Sequence, residues 1–147
     1  MLDPGDPAPA IALADHRGGT VTVDPAAARY TVVYFYPRAG TPGCTAEACG
    51  FRDGWDAFEA ADVAVVGISD DPVDDLESFA AKHDLPFTLL SDPDGAVASA
   101  FDSYGEKSLF GNAVDGVFRN TYVLDADGTV ALAYEGVSPG DHAAEIR

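Results

Sequence analysis

The sequence predicts an α/β fold, a three-layer sandwich in which helices cover both faces of a β-sheet. Three observations lead there. Thr31–Tyr36 and Val63–Ile68 are near-continuous, β-rich apolar runs, the pattern of strands covered on both sides. Helical spacing follows each of them, with Phe51, Trp55 and Phe58 on one face, then Leu76, Phe79 and Ala80 on another. The last apolar stretches, Thr121–Leu124 and Val130–Tyr134, alternate around Asp125-Ala-Asp-Gly128, which is hairpin chemistry. Strands interleaved with helices and closed by a hairpin form an α/β layer architecture.

Taken in order, residues 1–9 are a proline-rich lead-in. Alternating positions around Ile11–Leu13 and Val21–Val23 flank Gly18-Gly19 and predict a small N-terminal β-hairpin. The first buried strand stops at Pro37, and a helix is predicted from about Pro42 to Ala60. After the strand at Val63–Ile68 come a helix over Pro72–His83, a strand over Phe87–Leu90 and a short helix near Ala96–Phe101. Past the closing hairpin, Asp141–Ile146 reads as the start of a further helix. No repeat or low-complexity block interrupts the 147 residues, which read as one domain over 1–147.

Charge narrows the partners. Twenty-five acids, mostly Asp, stand against 8 bases, for a net charge of −17. Such a surface repels phosphate backbones and anionic lipid, so nucleic acid and membrane are poor partners. The acids are dispersed along the chain, and a solvated acidic shell of this kind predicts a halophilic protein working in a salt-rich cytoplasm. The first residues have no basic flank or apolar run, so they do not read as a secretory signal. No stretch approaches the roughly 20 apolar residues that cross a bilayer. The expected location is cytoplasmic.

The two cysteines, Cys44 and Cys49, are too few for a disulfide framework or a four-sulfur zinc site. A close pair in a reducing cytosol is redox chemistry before it is architecture. The context of Cys44 supports that. Pro42 suits the first helical position, where its missing N–H is not needed. Thr41 then falls at the N-cap and Cys44 in the first turn, where N–H groups lack intrahelical partners and the dipole is positive. A helix terminus contributes about 0.3–1 kcal/mol to an anion there. Moving a thiol from its ordinary value of about 8.5 to roughly 6 takes about 3.4 kcal/mol. A cation must therefore assist, and the chain offers only Lys82, Lys107 and six arginines.

The segment Tyr34-Phe-Tyr-Pro-Arg-Ala-Gly-Thr-Pro-Gly-Cys-Thr-Ala-Glu-Ala-Cys-Gly-Phe-Arg-Asp53 resembles the Q-type, or bacterioferritin-comigratory, peroxiredoxins. Their Pro-x-x-x-Thr-x-x-Cys signature is matched by Pro37, Thr41 and Cys44, and their second cysteine, five residues on, by Cys49. Phe87–Asp92, Tyr104–Lys107 and Arg119–Asp125 are similar to the same group, so the likeness spans nearly the whole chain. The resemblance implies a thioredoxin-like three-layer sandwich with a central mixed β-sheet. It implies a peroxidase in which Cys44 attacks peroxide and becomes a sulfenic acid, and Cys49 resolves it as an intramolecular disulfide. Thr41 would hydrogen-bond the thiolate and peroxide, Pro37 would shield the site, and Arg119 would supply the cation. Glu47 is placed to hold that arginine. No cofactor or metal is expected. The implied partners are a peroxide substrate and a thioredoxin-like reductant, with the chain a monomer or weak dimer.

Two other functions fit the residues less well. A thioredoxin-type disulfide oxidoreductase usually carries Cys-x-x-Cys, whereas four residues separate these sulfurs. A peroxide sensor or holdase could use the same thiolate without rapid turnover. His16, His83 and His142 stand in unrelated contexts and are expected to take no part in catalysis; Arg38 and Arg52 read as solvated. The charge makes its own prediction: the melting temperature should rise by several degrees between low and molar KCl as self-repulsion is screened. A melting temperature independent of KCl would contradict the halophilic reading.

Overall fold

The computed structural model describes residues 2–37, 42–109 and 112–134. The strands are β1 (Ala12–Asp15), β2 (Thr20–Thr22), β3 (Tyr30–Phe35), β4 (Val63–Ser69), β5 (Thr88–Ser91), β6 (Tyr104–Leu109), β7 (Asn112–Val117), β8 (Thr121–Asp125) and β9 (Val130–Tyr134). The helices are α1 (Pro42–Asp53), α2 (Trp55–Ala60), α3 (Val73–His83) and α4 (Ala96–Ala100), with a 3-10 turn at Pro25–Ala27. The helix expected over 141–146 lies outside the described residues.

Seven strands form one mixed sheet in the order β2-β1-β5-β4-β3-β8-β9. β3, β4 and β5 are parallel neighbours, while β1, β2, β8 and β9 run antiparallel to theirs. The two-residue period of β3 divides its side chains between two cores. Val32 and Tyr34 pack with Phe51 of α1, Phe58 of α2 and Leu76 and Phe79 of α3. Val33 and Phe35 face the other way, against Tyr122, Ala98 of α4 and Phe101. Gly67 of β4 pairs with Tyr34, and a Cβ there would lie 2.7 Å from the Tyr34 ring. This close approach lets the ring of Tyr34 stack on Phe51, at 4.8 Å between centroids, beneath α1.

Three elements differ from expectation. The helix predicted over 42–60 is interrupted at Gly54, between α1 and α2. Glycine has the greatest backbone freedom to lose in a helix, so the sequence is weakest there. β6 and β7 form a separate antiparallel ribbon that was not predicted. Its residues, Gly105-Glu-Lys-Ser108 and Asn112-Ala-Val-Asp115, carry too few apolar positions to show a period of two. The 3-10 turn at Pro25–Ala27 was likewise unread; Asp24 Oδ1 accepts from the Ala26 N–H at 3.0 Å to cap it.

Part of the Asp content proves architectural. Asp15 Oδ1 accepts from the N–H groups of Arg17 and Gly19, both at 3.0 Å, to shape the β1–β2 turn. Asp125 Oδ1 does the same for Asp127 and Thr129, at 2.9 and 3.0 Å, in the β8–β9 turn. Asp92 accepts from Ala98 N–H at 2.9 Å and starts α4. These are local side-chain-to-backbone bonds that favour Asp over other acids in turns. Among the described residues no helix is long and apolar enough to cross a membrane.

Candidate active site

The site forms where the end of β3, the start of α1 and the segment between β7 and β8 meet. β3 is buried from Thr31 to Phe35, so it delivers the chain to a fixed point, where Pro37 is half-buried. α1 begins at Pro42, as expected, which sets Cys44 in its first turn. The Cys44 residue is buried, at 1% exposure. Thr41 lies outside the described residues.

Arg119 arrives from the opposite side on a backbone pinned at both flanks. The Phe118 N–H donates to the Ser103 carbonyl, and the Asn120 carbonyl accepts from the Phe35 N–H, both at 2.8 Å. The Asn120 side-chain amide donates to Ser103 Oγ at 3.1 Å. Held in this way, the guanidinium reaches α1: Nη2 donates to Cys44 Sγ at 3.2 Å and Nη1 to Glu47 Oε1 at 2.9 Å. Cys44 and Glu47 are three residues apart and so share a helix face. The Glu47 side chain has no exposure and that of Arg119 only 18%.

Burial sets the electrostatics. It pushes the Glu47 carboxyl from its ordinary 4.5 up to about 7, against the opposing pull of Arg119. Glu47 Oε2 has no hydrogen-bond partner among the described residues, which adds to the cost of the ionised form. Burial works against the charge on Arg119 too, yet the combined attraction of Cys44 and Glu47 raises its proton affinity above the ordinary value. Tyr34 is held as the neutral phenol, by burial first and then by the acidic groups around it.

Cys49 is half-buried and free, as is buried Cys44. The structure corrects the expectation for His83. Far from standing in an unrelated context, its Nδ1 lies 3.9 Å from Cys49 Sγ. Arg52, expected to be solvated, donates from Nη1 to the His83 carbonyl at 2.8 Å and from Nε to Asp53 at 3.1 Å. His16 is buried and serves the fold, accepting from the Leu89 N–H at 3.2 Å. Arg38 and His142 lie outside the described residues. Ser103, Asn120 and His83 had no local sequence signal, because each acts on a residue distant along the chain. Among the described residues no cluster of three or more His, Cys, Asp or Glu could hold a metal ion. An apolar cavity of about 470 Å³, lined by Tyr30, Phe58, Val123 and Leu132 among others, includes none of these site residues.

A thiol seated at a helix start against a partly buried guanidinium, on a mixed α/β sheet, defines a thiol-redox protein. The AhpC/TSA family profile matches residues 4–133, and the chain belongs to that family. It is 43% identical over 141 residues to peroxiredoxin Bcp of Escherichia coli K12, covering 96% of this chain and 90% of that one. It is 38% identical over 144 residues to peroxiredoxin Bcp of Bacillus subtilis 168, covering 98% and 92%. Among solved structures, a PrxQ mutant of Xylella fastidiosa aligns with a TM-score of 0.91 at 29% identity, over 99% of this chain and 93% of that one. The Bcp and PrxQ group is the one the sequence resembles, and the fold is thioredoxin-like as expected. The family supports a peroxidase activity of the oxidoreductase class.

The buried carboxylate yields a prediction. Because folding raises the Glu47 pKa from 4.5 to about 7, the stability tied to its proton is fully present below 4.5 and is lost as pH rises through about 7. Glu47→Gln mimics the protonated group at every pH. In urea unfolding, the wild type should lose up to about 3 kcal/mol relative to this variant between the two limits. A stability difference that does not change with pH would show that Glu47 stays ionised.

Proposed function

We propose that this chain is a two-cysteine, thioredoxin-dependent peroxiredoxin that reduces hydrogen peroxide and organic hydroperoxides in the cytoplasm. The observation that carries the reading is the 3.2 Å contact from Arg119 Nη2 to the buried Cys44 Sγ. A guanidinium hydrogen bond to an anion contributes about 1.5–3 kcal/mol, the order of help that a helix terminus leaves wanting. The Cys44 thiolate attacks one peroxide oxygen; the O–O bond breaks, the S–O bond forms, and the other oxygen leaves as alkoxide or hydroxide and takes a proton. Thr41 orients the peroxide and Pro37 keeps water from the sulfur. Glu47 holds Arg119 in register, one turn along α1.

Cys49 then resolves the Cys44 sulfenic acid as an intramolecular disulfide, releasing water, and a thioredoxin-like dithiol reduces the bridge. Both cysteines belong to α1, and five helical residues separate side chains by roughly 140° and about 7.5 Å along the axis. A disulfide requires Cα atoms within about 7 Å and converging side chains. The first turns of α1 must unwind for the bridge to close. The protein works as a monomer or weak dimer, and its acidic surface is suited to high salt.

Single-turnover mixing with hydrogen peroxide, followed by mass spectrometry and thioredoxin-coupled turnover, tests the division of labour. Cys44→Ser should consume no peroxide, because an alcohol is not ionised near neutral pH. Cys49→Ser should form sulfenic acid at the wild-type rate but no internal disulfide, and should turn over poorly with thioredoxin. Full peroxidase activity in the Cys44→Ser variant would remove the assignment. Rapid oxidation without thioredoxin-coupled turnover in the wild type would point to a peroxide sensor.

A further inference from the structure

Resolution poses a chemical problem that Arg119 does not address. The thiol of Cys49 must lose its proton before its sulfur can attack, and an ordinary thiol, near 8.5, is only a few per cent ionised at pH 7. Arg119 serves Cys44 and Glu47, whereas Cys49 lies on a different side of α1. There it meets the last turn of α3, where His83 Nδ1 stands 3.9 Å from Cys49 Sγ. We infer that His83 is the base that ionises Cys49 for the resolving step, an inference that rests on the two-cysteine reading above.

Several contacts aim the ring. Its edge packs on Phe79 one turn earlier, with centroids 5.1 Å apart and planes at 66°. Its backbone carbonyl accepts from Arg52 Nη1 at 2.8 Å. Arg52 is three residues beyond Cys49, so both project from the same side of α1 toward α3. Asp84, in the left-handed conformation at φ 50°, ends α3 immediately afterwards and returns its N–H to the Ala80 carbonyl. Imidazole is also the side chain whose ordinary titration lies nearest neutrality, which suits it to accept a thiol proton. Among the described residues, the charged and titratable groups near the pair include Arg52 and Asp53 from α1 and Tyr34 from β3, with Lys82 and Asp84 beside His83 on α3.

The proton balance is complete. While α1 is still helical, His83 Nδ1 accepts the proton of the Cys49 thiol. Unwinding then releases a thiolate instead of a thiol. The Cys49 sulfur attacks Cys44 Sγ of the sulfenic acid, the S–S bond forms, and the S–O bond breaks. Hydroxide leaves and is protonated to water, and the imidazolium returns its proton to solvent. The sulfenic acid is the oxidant, and the peroxidase step has already supplied it.

The test follows the two phases of a single turnover in the full chain across pH. Trp55, packed against Phe87 at 6.0 Å and six residues beyond Cys49, gives the fluorescence signal. Mass spectrometry confirms the disulfide. Wild type is compared with His83→Gln and His83→Asn, and the rate of the first phase, Cys44 oxidation, reports whether each variant is folded around the peroxide site. The expected result is disulfide formation slowed at least tenfold at pH 7, with the deficit closing as pH approaches the range of an ordinary thiol. Equal rates and pH profiles in wild type and both variants would overturn the role of His83 alone. Slowing by the same factor at every pH would also overturn it, because that is the mark of a lost packing contact. A wild type that forms no Cys44–Cys49 disulfide would refute the two-cysteine reading, and the role of His83 with it.

Discussion

Arg119 is one cation between two buried acids, and the arrangement of the surrounding fold follows from keeping it there. A guanidinium at 18% exposure needs partners for its charge, and Cys44 and Glu47, both buried on one face of α1, supply them. The reverse also holds. Ionising either acid in that environment without the arginine would leave an uncompensated buried charge, which costs several kcal/mol. For Glu47 burial outweighs the pull of Arg119, and its carboxyl rises to about 7. The sheet makes the meeting possible. β8 lies beside β3, so the segment entering β8 carries Arg119 to the end of β3, within reach of Cys44 on α1.

In the proposed mechanism α1 serves two steps that ask for different structures. Peroxide attack would use the helix as folded, with Cys44 in its first turn and Glu47 one turn later on Arg119. Resolution would bring Cys49 to Cys44, which the intact helix forbids by geometry. The proposed compromise lies in where the helix is anchored. Phe51 is held in the core by Tyr34, Phe58 and Phe87, whereas the segment from Cys44 to Cys49 adds to that core the small side chains of Cys44 and Ala48, beside the polar contacts to Arg119 and His83. Such contacts can be exchanged at less cost than buried aromatic packing. Gly54 then separates α1 from α2, so a change in the first helix need not be transmitted to the second.

Local chemistry was legible in the sequence to the extent that it was local. The apolar runs of β3 and β4, the hairpin turns built on Asp15 and Asp125, and the Pro42 helix start are each encoded within a few residues. The motif joined Pro37, Thr41, Cys44 and Cys49 because they are neighbours in the chain, although Thr41 lies outside the described residues. Arg119 came from resemblance, since nothing local marks one arginine among six as the partner of a thiol 75 residues away. The contact of His83 with Cys49 was illegible for the same reason. Its proximity to Cys49 depends on how α3 packs beside α1, which no periodicity reveals. The β6–β7 ribbon was missed because its polar, glycine-containing strands look like loop, and its register exists only as pairing.

The chemistry proposed for this site depends on whether Arg119 activates Cys44. The direct measurement is the second-order rate of Cys44 oxidation by hydrogen peroxide, from pH 5 to 9, in wild type, Arg119→Met and Arg119→Lys. A hydrogen bond from a charged donor, at about 1.5–3 kcal/mol, corresponds to a loss of roughly ten- to a hundredfold in the methionine variant at pH 7. The lysine variant, which keeps a charge but not the two-pronged reach, should recover part of it. An Arg119→Met variant with the wild-type rate and pH profile would contradict the central claim and assign the activation of Cys44 to another group.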